Sequence, residues 1–169
     1  KYADIMRICY AKPAEGVTVL AGVDLAHWSE KARQIWLKKP GELEAVNGAE
    51  PALVSETFAR RFHVLKGGIV ELQTPAGSKK ISPYGIFCDY GNEFGMAAVD
   101  QEKWLSWVGV DRPVNASLYL ADTSKVKETR ERMRLAYPGL DVRDEQELRN
   151  VAIGIFEQTF QATHALSII

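Results

Sequence analysis

Ala52-Leu53-Val54-Ser55-Glu56-Thr57-Phe58-Ala59-Arg60-Arg61 is the stretch on which the fold turns. Three apolar residues run into a serine and then into a segment with acidic and basic ends, which reads as strand, cap and helix. Ser55 is placed to cap a helix from Glu56 to about Phe62, because its hydroxyl can accept a backbone N–H that the first turn leaves unpaired. A short strand followed at once by a helix points to a mixed α and β architecture, and the flanking segments extend that pattern.

Downstream, Lys66-Gly67-Gly68 turns the chain into a strand over Ile69–Gln73. Thr74-Pro75-Ala76-Gly77 is the next turn, and Lys80–Cys88 the strand it feeds. Asp89-Tyr90-Gly91-Asn92 carries turn chemistry again. Met96–Val99 reads as a strand, with Asp100 set to cap a helix over Gln101–Trp107. Upstream, Ile5–Tyr10 and Val17–Val23 form a hairpin around Lys12-Pro13-Ala14-Glu15-Gly16. In its second arm Val17, Val19, Ala21 and Val23 alternate with Thr18, Leu20 and Gly22, so one face is the more apolar. A helical stretch is expected from His27 to Leu37, ended by Pro40-Gly41.

The last third returns to a βαβα pattern. Alternation over Val114–Leu120 predicts a half-buried strand. Lys125–Tyr137 predicts an amphipathic helix with Val126, Thr129, Met133 and Ala136 on one side, and Lys127/Glu131 and Glu128/Arg132 as i,i+4 ion pairs. Leu140–Val142 reads as a short strand, and Asp144 with Glu147 as a capping box opening a final helix. That helix is expected to run from Glu145 to Ile169, about 37 Å long. After Glu157 it carries no formal charge and becomes apolar on most sides. Gln158–Ile169 is too short to cross a bilayer by itself, since a span takes about 20 residues. Two readings stand: a central helix buried in the domain, or a helix leading into a membrane span.

The chain has 169 residues, 46% of them apolar and 25% charged, the balance of a soluble globular protein of one domain or two small lobes. Lysine plus arginine number 21 against 22 acidic residues, so no overall field recommends a nucleic-acid partner. Residue 1 is a lysine and no signal peptide is evident, which leads us to expect a fragment or a processed chain. Cys9 and Cys88 lie far apart in expected strands, as small core residues or as a disulfide. No nucleotide-binding, nucleophile-elbow or zinc-ligand motif is present. His27, His63 and His164 have no carboxylate or cysteine at a ligand spacing. No catalytic, cofactor-binding or metal-binding residue is therefore assigned. Trp104 and Trp107 share a helical face and are read as core. The loop Asp89–Gly95 holds two carboxylates but lacks the spacing of a calcium loop.

Four segments together resemble the extracytoplasmic, periplasmic domain of FtsX/MacB-like ABC transporter permeases, the lipoprotein-release and macrolide-export type. They are Leu20-Ala21-Gly22-Val23-Asp24, the opening stretch Ala52–Arg61, Ile86-Phe87-Cys88-Asp89-Tyr90-Gly91, and Arg149 followed by Ile155–Phe160 and Thr163–Leu166. They occur in the family's order and cover nearly the whole chain. Gly67-Gly68 departs from the family's Gly-Asp, and the family's first βα unit is missing before Lys1, which leads us to expect a fragment that starts partway through a lobe. The resemblance implies an α+β fold of two lobes: a βαβ-type lobe from residues 1–48 and 109–169 leading to a membrane helix, and an inserted β-rich lobe over 49–108. It implies no enzyme and no cofactor, but a domain that couples ATP-driven movement of membrane helices to handling of a periplasmic substrate or partner. The expected partners are the membrane, a separate ATPase subunit or domain, a periplasmic protein and a second permease, with no nucleic acid. The expected location is the inner membrane, with this domain outside it. The loops Thr74–Lys79 and Asp89–Gly95, expected at one far end of the inserted lobe, are the candidates for partner contact. Two other readings compete: a free-standing soluble ligand- or peptide-binding module, and an enzyme built on Asp89, Tyr90, Glu93 and a distant histidine.

Overall fold

The Ser55 cap forms as the sequence predicts, and around it the chain builds one mixed sheet. The computed structural model describes residues 2–30, 34–41, 46–65, 67–89, 92–151 and 153–154. Its strands are β1 (Tyr2–Pro13), β2 (Thr18–Val23), β3 (Trp36–Lys38), β4 (Glu50–Ser55), β5 (Val70–Thr74), β6 (Gly77–Phe87), β7 (Met96–Asp100) and β8 (Asn115–Tyr119). The helices are α1 (Leu25–Glu30), α2 (Glu56–Arg61), α3 (Gln101–Val108) and α4 (Val126–Ala136), with residues 145–151 and 153–154 also helical. The fold class is α+β, as expected.

The chain divides into two units, Ala3–Leu118 and a smaller one made of Lys1–Tyr2 with Tyr119–Ile169. In this division residues 3–48 and 109–118 group with 49–108 in the larger unit. The reason lies in strand pairing. β2 pairs in parallel with β7, from Val19↔Met96 to Val23↔Asp100, and antiparallel with β1. Pairing thus ties the first hairpin into the sheet that holds β4 to β7.

In the larger unit the strands run in the order β2-β7-β4-β6-β5-β1-β8, with β3 on β6 and an additional β1–β2 pairing. The pairings β1–β2–β7–β4–β6–β5 return to β1 through Lys12↔Gln73 and Pro13↔Leu72, so the circuit closes. β2 is buried along its whole length, not on one face. Leu20, Val54, Ala97 and Val99 join the cluster under α2 and α3, with Phe58 and Trp104. Their neighbours Ala21, Val23, Leu53 and Ala98 face the opposite cluster, with Leu25 and Trp28 of α1. A strand covered on both faces reads as continuously apolar, whereas alternation marks a half-buried one.

Local chemistry explains the elements. Ser55 Oγ accepts from Phe58 N at 3.2 Å and opens α2. Asp100 Oδ1 accepts from Glu102 N at 3.0 Å and opens α3. Trp104 is 2% exposed and donates from Nε1 to Leu20 O at 3.1 Å, so the tryptophan pair is core, as expected. Gly67 and Gly68 adopt φ of 102° and 135°, a region closed to most side chains. Two glycines therefore suit the turn before β5.

Three expectations fail. The stretch 27–37 is not one helix: α1 ends at Glu30, and Trp36 pairs with Phe87 as β3. Phe87 takes both Trp28 and Trp36 edge-on, with centroids at 6.1 and 6.4 Å, and that packing overrides the local helical pattern. β8 forms but is exposed on both faces rather than half-buried. Residues 140–142 are not a strand; Val142 O instead accepts two bonds from Arg134, at 2.9 and 2.7 Å.

In the smaller unit α4 buries no side chain fully, though Val126, Thr129 and Met133 form a half-buried stripe and Ala136 is exposed. Glu128 meets Arg132 at 4.0 Å as expected, but Glu131 pairs with Arg130 and Arg134 instead of Lys127. Asp144 Oδ1 accepts from Glu147 N at 2.8 Å, half of the predicted capping box. The Glu147 carboxylate turns to Arg130 at 2.9 Å and Arg134 at 2.8 Å. Among the described residues no helix is long and apolar enough to cross a membrane. The expected final helix over residues 155–169 lies outside the described residues.

Candidate functional site

Three adjacent strands present a row of side chains: Tyr10 on β1 pairs with Val19 on β2, which pairs with Met96 on β7. Ile8 lies two residues from Tyr10 and so shares its face. Asp89 and residues 92–94 line one side of this row, and the result is a groove of about 720 Å³ with Thr57 also in its lining. Tyr10 is 71% exposed and meets Phe94 edge-on, with centroids 6.2 Å apart.

The wall is held in place from below. Asn92 Oδ1 accepts from Phe94 N at 3.0 Å, an Asx turn of the kind the sequence predicts there. Gly95 adopts φ 73°, and a Cβ on it would lie 2.7 Å from the Phe58 backbone N. Only glycine lets the loop pass that close to α2. Its carbonyl accepts from Val19 N at 3.0 Å and from Thr18 Oγ1 at 2.9 Å. Arg61 Nη1 donates to Val17 O at 3.0 Å, fastening the hairpin tip to α2. The carboxylates in the lining are Asp89 and Glu93, and among the described residues no lysine, arginine or histidine lines the groove.

The second candidate loop stands elsewhere. Thr74 Oγ1 donates to Gly77 O at 2.7 Å, closing the turn that starts β6. A smaller groove of about 330 Å³ beside it is lined by Glu50, Ser78, Lys79, Lys80 and Trp107. The two loops were expected at one end of a lobe, but they lie at opposite ends of the 11-residue β6. At about 3.3 Å per residue that separates them by about 35 Å.

Among the described residues weighed for catalysis, neither histidine lines the groove that holds Asp89 and Glu93. Asp89 and Glu93 share the groove, whereas His27 belongs to α1 and His63 follows α2. Tyr90 and His164 lie outside the described residues. His63 instead has a backbone role at φ 57°, ending α2 while Val64 N donates to Ala59 O at 2.9 Å. Among the described residues no three His, Cys, Asp or Glu side chains gather to hold a metal. Cys9 and Cys88 are both free thiols. Burial pushes the Cys9 thiol up. Sequence reasoning missed Asp24 as the cap of α1, where Oδ1 accepts from His27 N at 2.9 Å. Its signal, an acidic residue just before a helical run, was present.

No family model and no curated protein matches the sequence. Among solved structures, the fold is similar to the extracellular domain of the noncanonic ABC-type transporter YknZ from Gram-positive bacteria. That likeness has 14% identity and a TM-score of 0.56, covering 85% of this chain and 78% of that one. It is also similar to the periplasmic region of MacB from Actinobacillus actinomycetemcomitans, at 8% identity and a TM-score of 0.52, covering 90% of this chain and 75% of that one. At such identities the likeness is one of fold: this chain has an α+β architecture similar to that of the extracytoplasmic domains of these two transporters.

Proposed function

We propose that the chain is the extracytoplasmic domain of an ABC transporter permease in an inner membrane. In this reading ATP binding elsewhere moves the membrane helices, and the domain moves with them to handle a periplasmic substrate or partner. The observation that carries the reading is the likeness to the extracellular domain of YknZ over 85% of the chain. Four sequence segments in the order of FtsX/MacB-like permeases support it independently. The separate ATPase, the second permease and the class of cargo, whether exported compound or released lipoprotein, belong to the same proposal.

The mechanical part of the reading is testable near Gly154, which lies in the last described helical residues. A stiff helix transmits displacement, and an inserted Gly-Gly pair removes the stiffness by favouring other backbone conformations. In the intact permease, insertion after Gly154 is expected to abolish transport while ATP binding persists. Transport at the original rate, measured in reconstituted vesicles, would refute the coupling.

A further inference from the structure

The groove between the Tyr10–Val19–Met96 row and residues 92–94 has a composition that points to a type of occupant. Its floor is apolar and aromatic, and its charged lining groups, Asp89 and Glu93, are acidic. Glu93 is exposed and has no ion-pair partner among the described residues. An aromatic pair beside carboxylates favours a cation that carries an apolar neighbour, through ring faces and charge complementarity together. The groove is also open, with Tyr10 71% and Ile8 42% exposed. Small-molecule sites typically bury about 70–90% of their ligand, which an open trough does not, so the fit is to part of a larger partner.

We propose that this groove docks an extended polypeptide segment presenting arginine or lysine beside an apolar side chain. The inference rests on the permease reading above and names the chemistry of the partner that such a domain would grip. The Asn92 Asx turn, the Gly95 contacts and the Arg61 clasp fix the wall beforehand, which lowers the ordering cost of docking. The basic side chain sits against Glu93, and its apolar neighbour lies across Tyr10, Ile8 and Phe94.

The test uses the 169-residue chain and an acetylated peptide of sequence Leu-Arg-Phe-Arg-Leu, titrated by calorimetry beside a counterpart with glutamate for arginine. Saturable binding of the arginine peptide alone, weakened by added salt, is expected. Glu93→Lys and Tyr10→Ala should each weaken it about tenfold, with melting temperature unchanged because both side chains are exposed. Equal binding of the two peptides, no saturable binding, or indifference to both substitutions would overturn the inference. So would a concentration-dependent dimer that Tyr10→Ala disperses, since a second copy would then be the occupant. Failed titration alongside transport lost on Gly-Gly insertion sinks the groove alone; transport that survives the insertion counts against the coupling reading instead.

Discussion

Ser55 serves two elements with one hydroxyl. It accepts from Phe58 N at 3.2 Å, opening α2, and from Met96 N at 2.9 Å, where β7 begins. The residue is fully buried, so Ser55→Ala leaves two donors without a partner or water. The expected loss is about 2–3 kcal/mol, read from the denaturant midpoint at unchanged slope. Tyr84 yields a prediction about pH. Burial pushes its phenol up to about 12 from the ordinary 10.0, against a smaller opposing influence of the Ser29 hydroxyl. The Ser29 contact is poorly formed: the Tyr84 hydroxyl lacks a well-aligned hydrogen bond, and Ser29 donates its own proton to Ala26 O. The fold holds the neutral phenol, so this contribution is full below pH 10 and fades as pH rises through about 12. Stability measured across that window should fall less in Tyr84→Phe, and an identical fall would refute the assignment. At this scale the sequence was most readable. Caps at Ser55, Asp100 and Asp144 follow from short-range chemistry, whereas the second partner of Ser55 lies 41 positions away.

At the scale of elements, legibility follows how local the cause is. The hairpin, the β5–β6 turn and α3 are set by their own residues and stand where the pattern places them. Residues 27–37 do not, because Phe87, far along the chain, draws Trp36 into a strand. The alternation of β8 correctly gave a strand but said nothing of whether either face is covered. In the smaller unit Arg130 joins α4 to the last helix, meeting Asp144 at 2.7 Å and Glu147 at 2.9 Å. The Glu147 backbone amide, and after it Arg130, hold the Asp144 carboxyl below its ordinary 3.8. Stabilisation from this group is therefore present above pH 3.8 and is lost as pH falls through its lowered value. Arg130→Gln should speed amide exchange over residues 144–151 while leaving Ala3–Leu118 unchanged. Unaltered exchange in the helix would show that the guanidinium contributes nothing to holding it.

For the whole molecule, the order of strand and helix signals and the family resemblance gave the α+β class, but not which strands are neighbours. Strand order cannot be read from periodicity, since β2 is as apolar beside β7 as it would be beside any buried strand. The groove was half legible for the same reason. The turn residues Asp89, Asn92, Glu93 and Phe94 marked one wall, while Ile8, Tyr10 and Thr57 arrive there only through folding. The β2–β7 pairing also sets a timetable. Thr18 and Gly95, which bond across that junction, are 77 positions apart. A ribosome adding about 5–20 residues per second leaves the apolar β2 without its neighbour for several seconds. During that interval β2 has β1 on one edge and nothing on the other, and pairings of such long range are slow to close. A nascent chain of this design therefore keeps one apolar strand edge open until residue 100 has emerged.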